Sequence, residues 1–164
     1  GIMDVTLSLP IPRWRIIVER MLAYALLLTG IALLTFLIMA AAVAVTPSMD
    51  IAAGTLFQAT INIVPSLLLV LAFTVLVSAA LPRRGLAIAL AIIFLVGSYF
   101  IDSIGSMASG SLAASLKAIS FYSYYDGSKV VMNGLNPGSV LLLLVVTVIF
   151  AAASLWFFER RDIA

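Results

Sequence analysis

The sequence predicts an all-α, polytopic integral membrane protein with four transmembrane helices, and three observations lead there. The 164 residues are 64% hydrophobic and only 10% charged, with a mean hydropathy of +1.25. A soluble domain carries about 25% charged residues, so this chain has too few to coat a water-facing surface. The apolar residues fall in long uncharged runs, and a spanning helix needs about 20 such residues to cross about 30 Å of hydrocarbon. The basic residues stand at the ends of those runs, where headgroups would meet them.

The first element is a broken, basic stretch, residues 1–20, expected to be a cytoplasmic coupling or anchoring segment ahead of a transmembrane domain over residues 21–164. Asp4 can cap a short helix over Val5–Leu9, whose Val5, Leu7 and Leu9 suit a membrane surface or a protein. Pro10 and Pro12 force a turn, because proline inside a helix forfeits hydrogen bonds. Trp14 then sits at the headgroups, with Arg13, Arg15 and Arg20 beside lipid phosphates. The residues alone leave two readings open, a plain membrane anchor or a dock for a cytoplasmic partner.

Met21–Val45 is the first span, and Thr46–Asp50 a turn. Ile51–Leu81 is uncharged but would run roughly 45 Å as one helix, so its buried part is placed at about 58–81, with the residues before it tilted or interfacial. Leu81–Gly85 is a short turn carrying Arg83 and Arg84. The third span runs over about 86–105, and a polar, small-residue outer segment over 103–138. The last span, about 140–158, ends in Trp156-Phe157-Phe158 and then Arg160 and Arg161, an interfacial pattern. Four crossings put both ends on one side. All seven arginines fall on that side and only Lys117 and Lys129 on the other, which makes the shared side cytoplasmic.

The sequence contains neither cysteine nor histidine. Disulfides, thiolate and imidazole metal sites and a Ser-His-Asp triad are therefore excluded, and no cofactor is expected. No P-loop occurs either: Gly105–Ser111 imitates its glycine spacing without the lysine, and reads as a close-packed or flexible outer segment. The chain opens with Gly1 and has no signal-peptide core, so a processed or truncated longer polypeptide is expected. With a formal charge of +2, nucleic acid is not an expected partner.

Polar groups within the spans are the remaining leads. At 100° per residue, Thr55, Gln58, Asn62, Pro65 and Ser66 share about a third of one helix's circumference. Amides facing hydrocarbon are costly, so the stripe should face protein or a wet cavity. It is either a substrate path through Gln58, Asn62 and Ser66 or ordinary helix–helix bonding. Pro65 leaves the Ile61 carbonyl without its helical donor and predicts a bend. Asp102 lies about 24 Å of rise beyond Leu86, at the outer boundary. It is a hydrated or capping acid, or a proton relay, with Lys117 a candidate partner. Leu112–Ile119 suits an amphipathic surface helix, and Phe121, Tyr122, Tyr124 and Tyr125 an interfacial belt that floats at the headgroups or closes an outer mouth. Small residues at Ala25 and Thr29, Ala87 and Ala91, and Ala151–Ser154 allow close helix contacts.

Four segments in order resemble one family. Leu7-Ser8-Leu9-Pro10-Ile11-Pro12-Arg13-Trp14-Arg15-Ile16 is similar to the segment before the third helix of bacterial ABC type-2 permeases. Ser78–Arg84 resembles their short inner turn, Ile119–Tyr125 with Gly134 the outer stretch before the last helix, and Leu155–Ile163 the closing W-x-F-x-R-R-D-I. The resemblance implies the last four helices of a six-helix half-transporter in the bacterial cytoplasmic membrane, the first two lying before Gly1. It further implies an ABC ATPase subunit as partner, a second permease copy or homologue, and export of a substrate powered by that ATPase. Asp4, Leu7, Pro10 and Arg13 become candidates for the ATPase-coupling contact. The alternatives are a structural membrane subunit that transports nothing, and an ion-coupled transporter using Asp102. The stripe of amides and hydroxyls does not select among lipids, peptides, drugs and glycans as substrate.

Overall fold

The computed structural model describes residues 13–46, 51–107, 110–125 and 127–160. Among them there are helices and connections and no strand, as the composition requires. The long elements are α1 (Arg13–Ala44), the pair α2 (Ala53–Ile61) and α3 (Ile63–Ala80), α4 (Arg84–Met107) and α7 (Pro137–Arg160). The outer segment holds α5 (Ser111–Ile119), a 3-10 turn at Phe121–Ser123 and α6 (Gly127–Asn133). Four helical stretches are long and apolar enough to cross a membrane: Trp14–Ala44, Ala53–Ala80, Arg84–Met107 and Pro137–Arg160.

The first helix begins earlier than expected, at Arg13 rather than near Met21. Its start follows directly on Pro12, where a residue without an N–H can stand at no cost to the helix. Trp14, Arg15 and Arg20 are therefore helical, and the Arg15 Nε donates to Glu19 Oε1 one turn on, at 2.7 Å. At 32 residues, about 48 Å, α1 is longer than a hydrocarbon core and carries its basic first turns beyond it.

The second span is interrupted where the sequence places a proline. Asn62 separates α2 from α3, and Pro65 falls in the first turn of α3, where its missing N–H is tolerated. Asn62 keeps helical angles (φ −59°, ψ −22°), so α2 passes into α3 without a loop.

α3 is the centre of the bundle. It packs most extensively on α7 and also on α1 and α4. Small side chains permit this: Ala72 and Ser154 are fully buried and Ala79 nearly so, and the Ser154 hydroxyl donates back to the Ala151 carbonyl at 2.7 Å. The core comprises Leu69 of α3, Leu143 of α7 and Phe121 of the 3-10 turn. Rings extend it, with Phe73 and Phe94 stacked at 4.0 Å and Phe94 and Phe121 at 5.4 Å.

Phe121 thus does not float at the headgroups. It is 7% exposed and packs into the bundle against Leu69 and Leu143, with Tyr122 and Tyr124 beside it. The outward faces of α1, α4 and α7 remain apolar and exposed, as at Leu26, Leu34, Ile93, Leu141 and Val148, which is how lipid-facing surface looks.

Candidate functional site

Three helix ends meet at one end of the bundle. Ile17, Arg20, Met21 and Tyr24 of α1, Thr74, Val75, Ser78 and Ala79 of α3, and Phe158 of α7 line one cavity of about 370 Å³. A second cavity joins the end of α3 to the start of α4 through Ser78, Leu81, Pro82, Arg84 and Ala87. The arginine-bearing termini of all four spans therefore lie at the same end. The Arg160 guanidinium covers the Trp156 ring at 4.1 Å, a cation–π contact at the end of α7. Of the four coupling candidates, Asp4, Leu7 and Pro10 lie outside the described residues, and Arg13 is described only as the first residue of α1.

The opposite end is polar and is built by the outer segment. Ser120 is fully buried, its hydroxyl donating to the Ser98 carbonyl of α4 at 2.7 Å and accepting from the Tyr122 N–H at 3.2 Å. That hydroxyl ties the 3-10 turn to α4 and so sets Phe121 into the core. At Gly105 of α4, an added Cβ would stand 3.1 Å from the Lys117 Cγ, so this glycine permits the close crossing of α4 and α5. α6 ends at Gly134, whose φ of +79° is a left-handed value suited to glycine, with its N–H bonded to the Val130 carbonyl at 2.9 Å.

Asp102 is half-buried on the inner wall of this region. The Ser123 hydroxyl, with a single proton, lies 3.0 Å from Asp102 Oδ1 and 2.6 Å from the Lys117 carbonyl. Asp102, Lys117, Tyr122, Ser123, Tyr125 and Lys129 line a cavity of about 310 Å³. Lys117 shares that cavity with Asp102 without pairing to it.

The stripe on α2 and α3 splits into two parts. Gln58 is exposed, and its Oε1 accepts the Leu135 N–H at 3.3 Å, linking α2 to the loop before α7. Asn62 and Ser66 are 3% and 6% exposed, and Asn62 Nδ2 and Ser66 Oγ have no hydrogen-bond partner. Asn62 faces a cavity of about 120 Å³ that Ser123, Tyr124, Lys129, Gly134 and Asn136 also line. The structure thus brings Asn62 together with outer-segment residues that the sequence reading assigned to a surface loop. The only hint of this was the run Ser120-Phe121-Tyr122-Ser123-Tyr124-Tyr125, which is equally rich in hydroxyls and in rings.

No curated protein and no solved structure matches the chain. The family model described as ABC-2 family transporter protein matches residues 1–163. With four membrane-length helices and an all-helical bundle beneath that match, the chain belongs to the ABC-2 transporter family and is a membrane permease of an ABC-type system.

Proposed function

We propose that this protein is the membrane-spanning permease subunit of an ATP-driven exporter, which moves a substrate from the cytoplasm or inner leaflet outward. In this reading an ABC ATPase subunit supplies the energy, and a second permease copy or homologue completes the pathway. The observation that carries it is the gathering of the arginine-bearing helix ends at one end of the bundle. Basic residues are retained on the cytoplasmic side, so that end would face the cytosol in a bacterial cytoplasmic membrane, where an ATPase could dock.

The docking surface would be the stretch before α1, with Asp4, Leu7, Pro10 and Arg13 in contact with the ATPase. α1 is one continuous helix from Arg13, so a push on its first turn would reach the outer half of the bundle without an intervening hinge. Nucleotide binding would then bias the bundle between two arrangements, the substrate passing Gln58, Asn62 and Ser66. The interrupted second span is where such a change needs least breakage, since the Ile61 carbonyl already lacks its Pro65 donor.

The test is co-expression and reconstitution with an ABC ATPase subunit. Pro10→Ala and Arg13→Glu should leave the complex assembled on a sizing column but abolish ATP-driven transport and the permease's stimulation of ATP hydrolysis. Full transport in both variants would remove the coupling role, and a permease that co-purifies with no ATPase would remove the exporter reading.

A further inference from the structure

We propose that the cavity between α1, α3 and α7, at the arginine-bearing end, binds one acidic phospholipid, with its phosphate on Arg20 and an acyl chain along the apolar wall. The inference goes beyond the transport reading and rests on it only for which leaflet supplies the lipid.

The cavity follows from one face of α1. Ile17, Arg20, Met21 and Tyr24 recur at three- and four-residue steps, so they line one side of the helix. Across from them stand Val75 and Ala79 of α3 and Phe158 of α7. Arg20 is the last charged residue before an uncharged run that continues to the end of α1 at Ala44. It therefore stands at the boundary of the hydrocarbon, with Met21 and Tyr24 beyond it on the apolar side. The volume, about 370 Å³, lies within the roughly 300–1,000 Å³ of small-molecule sites.

Charge selects the head of the ligand. Arg15 is held by Glu19 at 2.7 Å, and Arg160 covers Trp156 at 4.1 Å. Arg20 has no ion pair, hydrogen bond or ring contact among the described residues. No carboxylate among them lines this cavity, and the adjoining one, which shares Ser78, adds Arg84 and again no acid. An unpaired guanidinium recognises phosphate through charge-assisted, bidentate bonds. The apolar wall asks for hydrocarbon on the same molecule, which a free phosphate lacks. A lipid supplies both, and the membrane delivers it sideways at this depth, whereas a partner in water meets only the helix ends. A zwitterionic headgroup brings its own ammonium to the phosphate and so gains less from Arg20 than an acidic one does.

Native mass spectrometry of the full chain in detergent, titrated with equimolar phosphatidylglycerol and phosphatidylcholine, tests the site. The first phosphatidylglycerol adduct should half-saturate at about a fivefold lower concentration than the phosphatidylcholine adduct. Arg20→Gln should erase that preference. Arg15→Gln should keep it, because Glu19 already holds Arg15. Thr74→Trp, at an exposed position of the cavity wall, should fill the space and erase the preference too, which keeps the test decisive should Arg20→Gln not assemble. Equal binding of both lipids by the unaltered protein, or a preference that survives Thr74→Trp, overturns the inference. Equal loss in Arg15→Gln and Arg20→Gln also overturns it, by assigning the effect to general attraction at the headgroups. A dimer that Thr74→Trp dissociates, with no lipid preference, gives the cavity to a second copy and overturns it as well. ATPase plays no part in the measurement, so its failure leaves the ATP-driven reading standing, and failure of that reading leaves the lipid result intact.

Discussion

Ser120 is the residue on which the outer segment turns. Its buried hydroxyl makes two hydrogen bonds, to the Ser98 carbonyl and from the Tyr122 amide. Ser120→Ala leaves the Tyr122 amide without that acceptor and should cost about 1–3 kcal/mol. Faster hydrogen exchange at the Tyr122 amide is the expected signature, and unchanged exchange would show that the hydroxyl is dispensable. Gly134 is a second single-residue dependence. A Cβ there meets Gln58 Oε1 at an ordinary 3.6 Å, so space is not the obstacle. The φ of +79° is, and Gly134→Ala should lower stability by about 1 kcal/mol. A lowered thermal midpoint with the Gln58–Leu135 contact retained would show the strain to be in the backbone. Neither dependence was legible in the sequence, because a serine beside aromatics and a glycine after an asparagine occur equally in plain loops. Asn62 and Ser66 were legible as polar residues on one face, since a 100° step is a local property. Their cavity was not, because Lys129 and Asn136 approach from far along the chain.

At the scale of elements, the number of spans and the interruption of the second were both readable. Hydropathy is counted along the chain, and a proline removes a particular hydrogen bond wherever the rest of the protein lies. Pro65→Ala restores a donor for the Ile61 carbonyl and should merge α2 and α3 into one helix. Solid-state NMR chemical shifts for residues 60–64 should move toward continuous α-helix, and the unchanged shifts of a break would mean that packing against α6 and α7, not the proline, maintains it. Element ends were less legible. Arg13 to Arg20 read as a headgroup segment by charge, yet they extend α1, because long basic side chains are good helix formers and can reach headgroups from a helix. The outer segment was the largest departure: Phe121 belongs to the core, and a ring at the interface and a ring in a core have the same composition.

For the molecule as a whole, the topology has a direct test. The sequence has no cysteine, so single cysteines introduced at Arg83 and Arg160 report on an otherwise silent background. Both should react with an impermeant thiol reagent from the cytoplasmic side, and Lys117→Cys from the opposite side only. Labelling of positions 83 and 160 from opposite faces would end the even-crossing topology and the docking surface with it. The core can be tested at the same scale. Leu143 is 2% exposed between α3 and the 3-10 turn, and Leu143→Ala should cost about 2–5 kcal/mol, read as a lower thermal midpoint in detergent.

The sequence by itself determined the solvent this protein lives in, the count of its long helices and the proline beside the break in the second, because each follows from the chemistry of neighbouring residues. Only the tertiary structure decided which polar groups share a cavity, since Asp102 and Ser123 stand 21 residues apart and Gln58 and Leu135 77 apart. Contacts of that range are set by how the helices pack, and packing depends on the shapes of all the partners together rather than on any one stretch.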